Sequence, residues 1–150
     1  MKYQEKCECC GHIKTAFMHS LNSPLVEALY QLVNFYEDNN RGCCLQDDLN
    51  LTKNQYNNFQ KLQYFFLVQQ TPNGWFPTQD GIKFIYGEHR VLNPVITLES
   101  QVLDIYHPAW KTARRRIPKL VGVEEIDNKF YKKRSEYQLE KSRQGNLIFR

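Results

Sequence analysis

The 150-residue sequence contains no apolar run that approaches the roughly 20 residues that a membrane-crossing helix needs. Its N-terminal segment, MKYQEKCECC, also lacks the apolar stretch that forms the centre of a secretion signal. We therefore expect a cytoplasmic protein with no membrane partner. The seven glycines do not cluster, so the sequence offers no glycine-rich loop of the kind that holds a phosphate group.

The sequence also lacks a recognisable set of catalytic residues. Asp47 and Asp48 are adjacent, which suits the capping of a helix rather than paired acid–base work. His89 and His107 have no nucleophile or carboxylate at a spacing typical of a catalytic group. The thiols clustered in residues 7–10 indicate metal binding or redox chemistry rather than a catalytic nucleophile. We expect no enzymatic activity.

Positive charge is scarce in the first part of the chain. Residues 1–110 contain eight Lys or Arg and eleven Asp or Glu, whereas residues 111–150 contain twelve and five. A polyanion such as DNA would therefore be attracted mainly by the C-terminal part, which includes Arg114, Arg115 and Arg116. Two interpretations of this part stay open: an arm that follows phosphates, or a solvated linker and helix face.

Apolar residues at helical spacing predict a first helix that begins near residue 23. Ser23 can cap its start, and Pro24 suits the first helical position. The pattern ends at residues 39–42, where Gly42 is available for a left-handed C-terminal cap. Aromatic residues make up 13% of the chain, which is ample material for a packed core.

A further helix is predicted from Thr52 to about Tyr64. Residues 52–55, Thr-Lys-Asn-Gln, fit a capping box, in which the Thr hydroxyl and the Gln amide each satisfy a backbone N–H group. The side predicted to be buried carries Tyr56, Phe59 and Leu62. The opposite side is polar and nearly uncharged, and it carries Asn54, Asn57, Asn58 and Lys61.

Extended segments and shorter helices are predicted after residue 64. Asn73-Gly74 between two apolar runs is typical of a β-hairpin. Thr78 predicts the start of a helix that ends at Gly87, and residues 91–98 predict a strand interrupted by Pro94. Residues 123–142 predict a final amphipathic helix.

The five cysteines form two clusters, Cys7/Cys9/Cys10 and Cys43/Cys44. In a reducing cytoplasm, clustered cysteines near histidines are typical of metal ligands. Cys7, Cys10 and the following glycine form the C-x2-C-G pattern that wraps two thiolates around a structural Zn²⁺ ion. We expect Cys7, Cys10 and His19 to bind zinc together with His12 or Cys9. Cys43 and Cys44 are an alternative pair of ligands, although burial as small apolar residues suits them better.

This order of elements resembles the winged helix-turn-helix domains of bacterial and phage regulators, including MarR-like domains. Residues 49–52, Leu-Asn-Leu-Thr, resemble the turn before a recognition helix, and Phe65 to Trp75 resemble the wing. With its CxxCG segment, the chain is also similar to small phage and prophage proteins, which would place it in a host cytoplasm. The resemblance implies a mainly helical α+β fold: a metal-binding hairpin over 1–20, a winged-helix domain over 21–98 and a basic extension over 99–150.

The resemblance implies that the helix after Thr52 enters the major groove of double-stranded DNA, as in a small transcription regulator. Asn54, Asn57, Asn58 and Lys61 would then face the bases, since Asn pairs bidentately with adenine. Lys53 and Lys61 would contact phosphates, assisted by the basic extension with Arg114, Arg115 and Arg116. The alternative is a noncatalytic protein-interaction module, such as a phage adaptor or virion component, on the same scaffold.

Overall fold

The computed structural model of the protein describes residues 3–112 and 118–133. Of these residues, 42% are helical and 25% lie in strands, which confirms the expected α+β class. No helix within these two ranges is both long enough and apolar enough to cross a membrane. Arg114, Arg115 and Arg116 lie outside the described residues, as does the part of the predicted final helix beyond residue 133.

The chain begins with an antiparallel pair of strands, β1 (Gln4–Lys6) and β2 (Ile13–His19). Helix α1 (Ser23–Asn39) follows and lies at the centre of the fold. Its N-cap is Asn22 rather than the predicted Ser23, because the Asn22 side chain accepts a hydrogen bond from a backbone N–H of the first turn. Its left-handed C-cap is Asn40, with φ of 50°, rather than Gly42. The buried residues of α1 are Leu25, Val26, Ala28, Leu29, Leu32 and Val33.

Two short helices follow, α2 (Leu45–Asp48) and α3 (Lys53–Asn58). The predicted capping box at the start of α3 is confirmed: Thr52 accepts from the backbone N–H of Gln55, whose side chain accepts from the backbone N–H of Thr52. The Gln55 amide also donates to the carbonyl oxygen of Pro24 at 2.9 Å. One side chain therefore caps α3 and fastens it to the first turn of α1.

After α3 the chain tightens into a 3-10 helix, Phe59–Phe65. The buried residues Phe59, Leu62 and Phe65 recur every third position, which matches the three residues per turn of this helix type. The helix predicted to about Tyr64 is thus confirmed in extent, but its second half is not an α-helix. Tyr56, predicted to be buried, is 42% exposed, because Gln55 occupies the side of α3 that contacts α1.

The predicted hairpin is present as β3 (Val68–Thr71) and β4 (Gly74–Pro77). Cys43, just before α2, pairs with Trp75 of β4 through two backbone hydrogen bonds of 2.9 and 3.0 Å. The Trp75 ring also meets the Phe59 ring edge-on, with 5.0 Å between the ring centroids. The hairpin is thereby fixed against the segment that precedes α2 and against the 3-10 helix.

Helix α4 (Gln79–Ile85) is capped by Thr78, as predicted. Residues 91–98 form β5 (Val91–Asn93) and β6 (Val95–Leu98), separated by Pro94, also as predicted. Strand β6 pairs with β2 on one side and with β7 (Gln101–Val102) on the other. The N-terminal hairpin is therefore two strands of a four-stranded antiparallel sheet in the order β1-β2-β6-β7.

The C-terminal part adds α5 (Ala109–Thr112), β8 (Lys119–Val121) and α6 (Val123–Asp127), with β8 paired to β5. The final helix was predicted to run through residue 142, but a short 3-10 turn ends at Phe130 and Tyr131 is extended. Tertiary contacts end it: the backbone N–H of Lys132 donates to α4, and its ammonium group donates to α1. Residues 123, 126 and 130 nevertheless face the core as predicted.

Candidate functional site

The turn between β1 and β2 carries three cysteines. It is closed by hydrogen bonds from the Cys7 N–H to the His12 carbonyl, at 2.8 Å, and from the Gly11 N–H to the Cys7 carbonyl, at 2.9 Å. Gly11 has φ of 74°, a left-handed conformation that glycine adopts without strain. This conformation helps the chain reverse direction between β1 and β2.

The sulfur atoms of Cys7, Cys9 and Cys10 all lie within 4.8 Å of one another. The Cys7 and Cys9 sulfur atoms are 3.1 Å apart. Cys9 and Cys10 are exposed and Cys7 is partly exposed, so an ion can reach the group from solvent. These three side chains are close enough to bind a metal ion.

The turn also favours the thiolate that metal binding requires. A hydrogen bond from the Cys9 thiol is the largest cause that lowers the pKa of Cys7 from 9.0 to about 6, and the backbone N–H groups of Cys10 and Cys9 contribute further. The same contact raises the pKa of Cys9, because that thiol is the donor. These hydrogen bonds therefore favour the thiolate form of Cys7.

The two histidines predicted as ligands make other contacts. His12 Nε2 lies 2.9 Å from a carboxylate oxygen of Glu99, and the hydrogen bond lowers the pKa of Glu99. His19 lies at the far end of β2, about 20 Å from its first residue at roughly 3.3 Å per residue. There its Nε2 is 2.9 Å from the Thr97 hydroxyl, and its ring stacks on Tyr64. The structure therefore brings Cys9 to Cys7 and Cys10, and places His19 elsewhere.

Cys43 and Cys44 lie apart from this group. Cys43 is buried, as expected for a small apolar residue, and burial raises the pKa of its thiol to about 12. Cys44, for which burial was also expected, is exposed and donates to Asp47 at 3.4 Å. Successive side chains of an extended segment point to opposite sides, so only one of the pair faces the core.

The polar side of α3, predicted to face DNA, divides into two parts. Lys53, Asn54 and Asn57 are exposed, whereas Asn58 and Lys61 are half-buried. The Asn58 amide donates to both the backbone carbonyl and the side-chain oxygen of Asn54, at 2.8 Å each. The donors of Asn58 are thus engaged within the helix.

Three of these residues, Asn54, Asn58 and Lys61, border a polar cleft of about 260 Å³ between α3 and the end of β2. His19 lines the same cleft. Burial is the larger cause that lowers the pKa of His19, and the positive charge of Lys61 lowers it further, which favours the neutral imidazole. The cleft therefore contributes one positive charge, from Lys61, to this surface.

A second, apolar cleft of about 590 Å³ lies between the β5–β8 pair and the segment that follows β7. Exposed apolar side chains line it, among them Phe66, Leu92, Ile105 and Leu120. Trp110 also lines it, and the indole N–H of that residue is buried without a hydrogen-bond partner among the described residues.

Two contacts that connect distant parts of the molecule could not be predicted from the sequence. Glu99 meets His12 across 87 positions, and no local pattern signals such a contact. Gln55 was identified as part of the capping box, but its hydrogen bond to α1 depends on how the two helices pack.

A scan of protein-family models finds no match to this chain, and neither does a search of curated proteins or of solved structures.

Proposed function

We propose that the chain is a noncatalytic DNA-binding protein that uses a winged helix-turn-helix arrangement. The observation that supports this best is the pairing of Cys43 with Trp75, which ties the segment before α2 to the hairpin after α3. In winged-helix domains the helix before such a hairpin enters the major groove, and the hairpin contacts the backbone beside it. Such a protein acts as a small transcription regulator of phage or bacterial origin.

In this proposal Asn57 is the main base-reading residue. Its side chain is exposed on α3, and an Asn amide pairs bidentately with adenine. Asn54 and Asn58 are hydrogen-bonded to each other, so this hydrogen bond must break before either side chain contacts a base. Lys53, at the start of α3, and Lys61, in the 3-10 helix that follows, contact phosphates.

Most of the affinity for DNA comes from outside the hairpin, because the hairpin residues 69–76 carry no charge. Phosphate neutralisation supplies nearly all nonspecific affinity for DNA. The basic extension, including Arg114, Arg115 and Arg116, therefore holds the phosphates, while α3 supplies the sequence preference. Affinity and discrimination would then depend on different residues, which makes them separable by experiment.

The test measures binding of the full chain to a library of random duplexes at two salt concentrations. Asn57→Ala should reduce discrimination among sequences and leave the salt dependence unchanged. Lys53→Ala should lower the slope of log affinity against log salt by about one, because one phosphate contact is lost. Replacing Arg114, Arg115 and Arg116 by Gln should weaken binding to every duplex.

Asn128→Ala, an exposed Asn outside α3, is the matched control and should change neither quantity. If the 150-residue chain selects no sequence from the duplex library and shows no salt-dependent binding, the proposal is contradicted.

The second part of the proposal is that Cys7, Cys9 and Cys10 bind a structural Zn²⁺ ion. Zinc is the usual ion at tetrahedral sites that are rich in thiolate ligands, and a cytosolic setting keeps these thiols reduced. The ion would fix the turn between two short strands that have little stability alone. Elemental analysis of protein never exposed to a chelator should find about one zinc per chain.

Two variants locate the ion. Cys7→Ser should lose it, whereas Cys44→Ser, an exposed cysteine outside the turn, should keep it. Loss of zinc from Cys44→Ser would move the site to the second cysteine cluster, and absence of zinc from the unmodified chain would refute the site.

A noncatalytic protein-interaction module is the second candidate, and the apolar cleft favours it. Soluble proteins leave large exposed apolar side chains together mainly where a partner covers them, and Phe66 is 63% exposed at this cleft. The duplex library separates the two candidates. If the chain does not bind DNA at either salt concentration, the interaction module is the function that remains, and α3 serves only as scaffold.

A further inference from the structure

His12 is the last residue of the cysteine turn, and it connects that turn to a distant part of the sheet. Its side chain meets Glu99, 87 positions later, and these side chains are 59% and 49% exposed. Both side chains lie outside the hydrophobic core. The same turn groups three sulfur atoms closely enough to bind an ion.

The register of the hairpin places His12 beside Cys7. Lys6 pairs with Ile13, so Cys7 and His12 are the next opposed pair, and the Cys7 N–H donates to the His12 carbonyl. Directly opposed residues of an antiparallel pair project on the same face, with Cβ atoms about 5 Å apart. The imidazole and the Cys7 thiolate therefore share one side of the turn.

Glu99 is held in place by a tight turn between β6 and β7. Glu99 and Ser100 have φ of 52° and 63°, and the flanking residues Leu98 and Gln101 are paired. Positive φ at both central residues is typical of a type I′ turn, and neither residue is the glycine that such turns favour. The backbone that carries the carboxylate is thus fixed relative to β6, which in turn pairs with β2.

We propose that His12 is the fourth ligand of the metal, through Nδ1, and that Glu99 is a positioning residue that accepts a hydrogen bond from Nε2–H. The inference rests on the proposed zinc binding. Three thiolates and one imidazole make a complete tetrahedral Cys3His site, and a metal-bound histidine almost always donates its other N–H to a carboxylate, a carbonyl or water. The ligand set is Cys7, Cys9, Cys10 and His12.

The ring must turn to bind, because no His12 nitrogen lies within 4.8 Å of all three sulfur atoms. Its exposure leaves room for that rotation, and the exposed Glu99 carboxylate can follow it. Metal binding would then pull the cysteine turn toward the β6–β7 turn. The ion would connect the first strands of the chain to residues that follow them by more than 80 positions.

The test measures the zinc affinity of the full chain by competition with a chromophoric chelator. Glu99→Gln keeps an acceptor oxygen but removes the negative charge that holds the imidazole, so affinity should weaken by up to about 10- to 100-fold, the usual loss when the partner of a metal-bound histidine is mutated. His12→Ala should weaken it at least as much. Glu8→Gln removes a carboxylate from the same turn and is the matched control, with affinity expected to stay unchanged.

Two further measurements separate a positioning role from a general effect of charge. The double variant His12→Ala/Glu99→Gln should bind zinc no more weakly than His12→Ala alone, because Glu99 acts through His12. With Co²⁺ in place of zinc, His12→Ala should shift the visible d–d bands, while the thiolate-to-cobalt band persists. Circular dichroism of each metal-free variant establishes that its fold is retained.

The possible failures are distinguishable. Unchanged affinity and an unchanged cobalt spectrum in His12→Ala, with zinc still lost in Cys7→Ser, would overturn the role of His12 and leave the three-cysteine site intact. Absence of metal from the unmodified chain would refute the zinc proposal itself. Equal weakening by Glu8→Gln and Glu99→Gln would mean that the two carboxylates act only through charge, which overturns the positioning role.

Discussion

Phe59 offers the most direct test of how α3 and the hairpin are oriented. Its ring is fully buried in the 3-10 helix and meets the ring of Trp75 edge-on at 5.0 Å. Phe59→Ala removes this ring and leaves a cavity, which costs about 3–5 kcal/mol of unfolding free energy. A small domain is stable by about 5–15 kcal/mol, so the variant should fold with a much reduced margin.

Urea denaturation followed by circular dichroism measures this change. The urea concentration at the midpoint should fall while the dependence of the unfolding free energy on urea stays constant. A constant slope shows that the variant exposes the same amount of surface on unfolding. Asn57→Ala, two positions earlier and exposed, should change stability by no more than about 0.5 kcal/mol. Equal costs for the two variants would mean that α3 is turned the other way, and the DNA-binding proposal would fail with it.

A double-mutant cycle isolates the contact between the two rings. Phe59→Leu and Trp75→Leu, made singly and together, should give a coupling of about 0.5–1.5 kcal/mol, the range for aromatic pairs. A coupling of zero would refute the contact that anchors the hairpin to the 3-10 helix.

Variants at three other positions probe local features of the fold. Gly42→Ala should lower the unfolding temperature in a thermal melt, because its Cβ would lie 2.0 Å from the carbonyl oxygen of Asn73; an unchanged melting temperature would contradict that close approach. Thr52→Ala removes the N-cap of α3 and should cost about 0.5–2 kcal/mol in urea denaturation, whereas Thr52→Ser should restore most of it. In metal-free protein, alkylation of Cys7 should rise with pH around its pKa of about 6, because only the thiolate reacts. Cys9→Ala removes the thiol donor, so peptide mapping should show the Cys7 midpoint moved up toward 9.0; an unmoved midpoint would show that Cys9 does not hold the thiolate.

The sequence predicts best the features that depend on neighbouring residues. The capping box at Thr52, the cap at Thr78 and the hairpin around Asn73-Gly74 each depend on side chains acting within a few positions of themselves. The caps of α1 show the limit of this reasoning. Ser23 and Gly42 are acceptable capping residues, but Asn22 and Asn40 are also available, and only the helix length decides between them.

The features that the sequence did not predict depend on packing between distant segments. The pairing of β2 with β6 and the contact of His12 with Glu99 join residues that are 76 to 87 positions apart. The final helix ends early because α1 and α4 bind Lys132. For the candidate metal site, the C-x2-C-G pattern identified Cys7 and Cys10. The sequence could not show that Cys9 rather than His19 lies beside them. That depends on β2, an extended strand that carries His19 away from the turn.

The pairing of β2 with β6 has a consequence for the order in which the chain folds during synthesis. His19 and Thr97 are 78 positions apart, so β2 leaves the ribosome long before the strand that will cover its edge. A two-stranded hairpin alone is marginally stable, and an unpaired strand edge is a site of aggregation. Until residue 98 has emerged, β1 and β2 are held together only by their pairing with each other and by the turn that joins them. A metal ion bound at that turn early would protect the nascent chain through this interval.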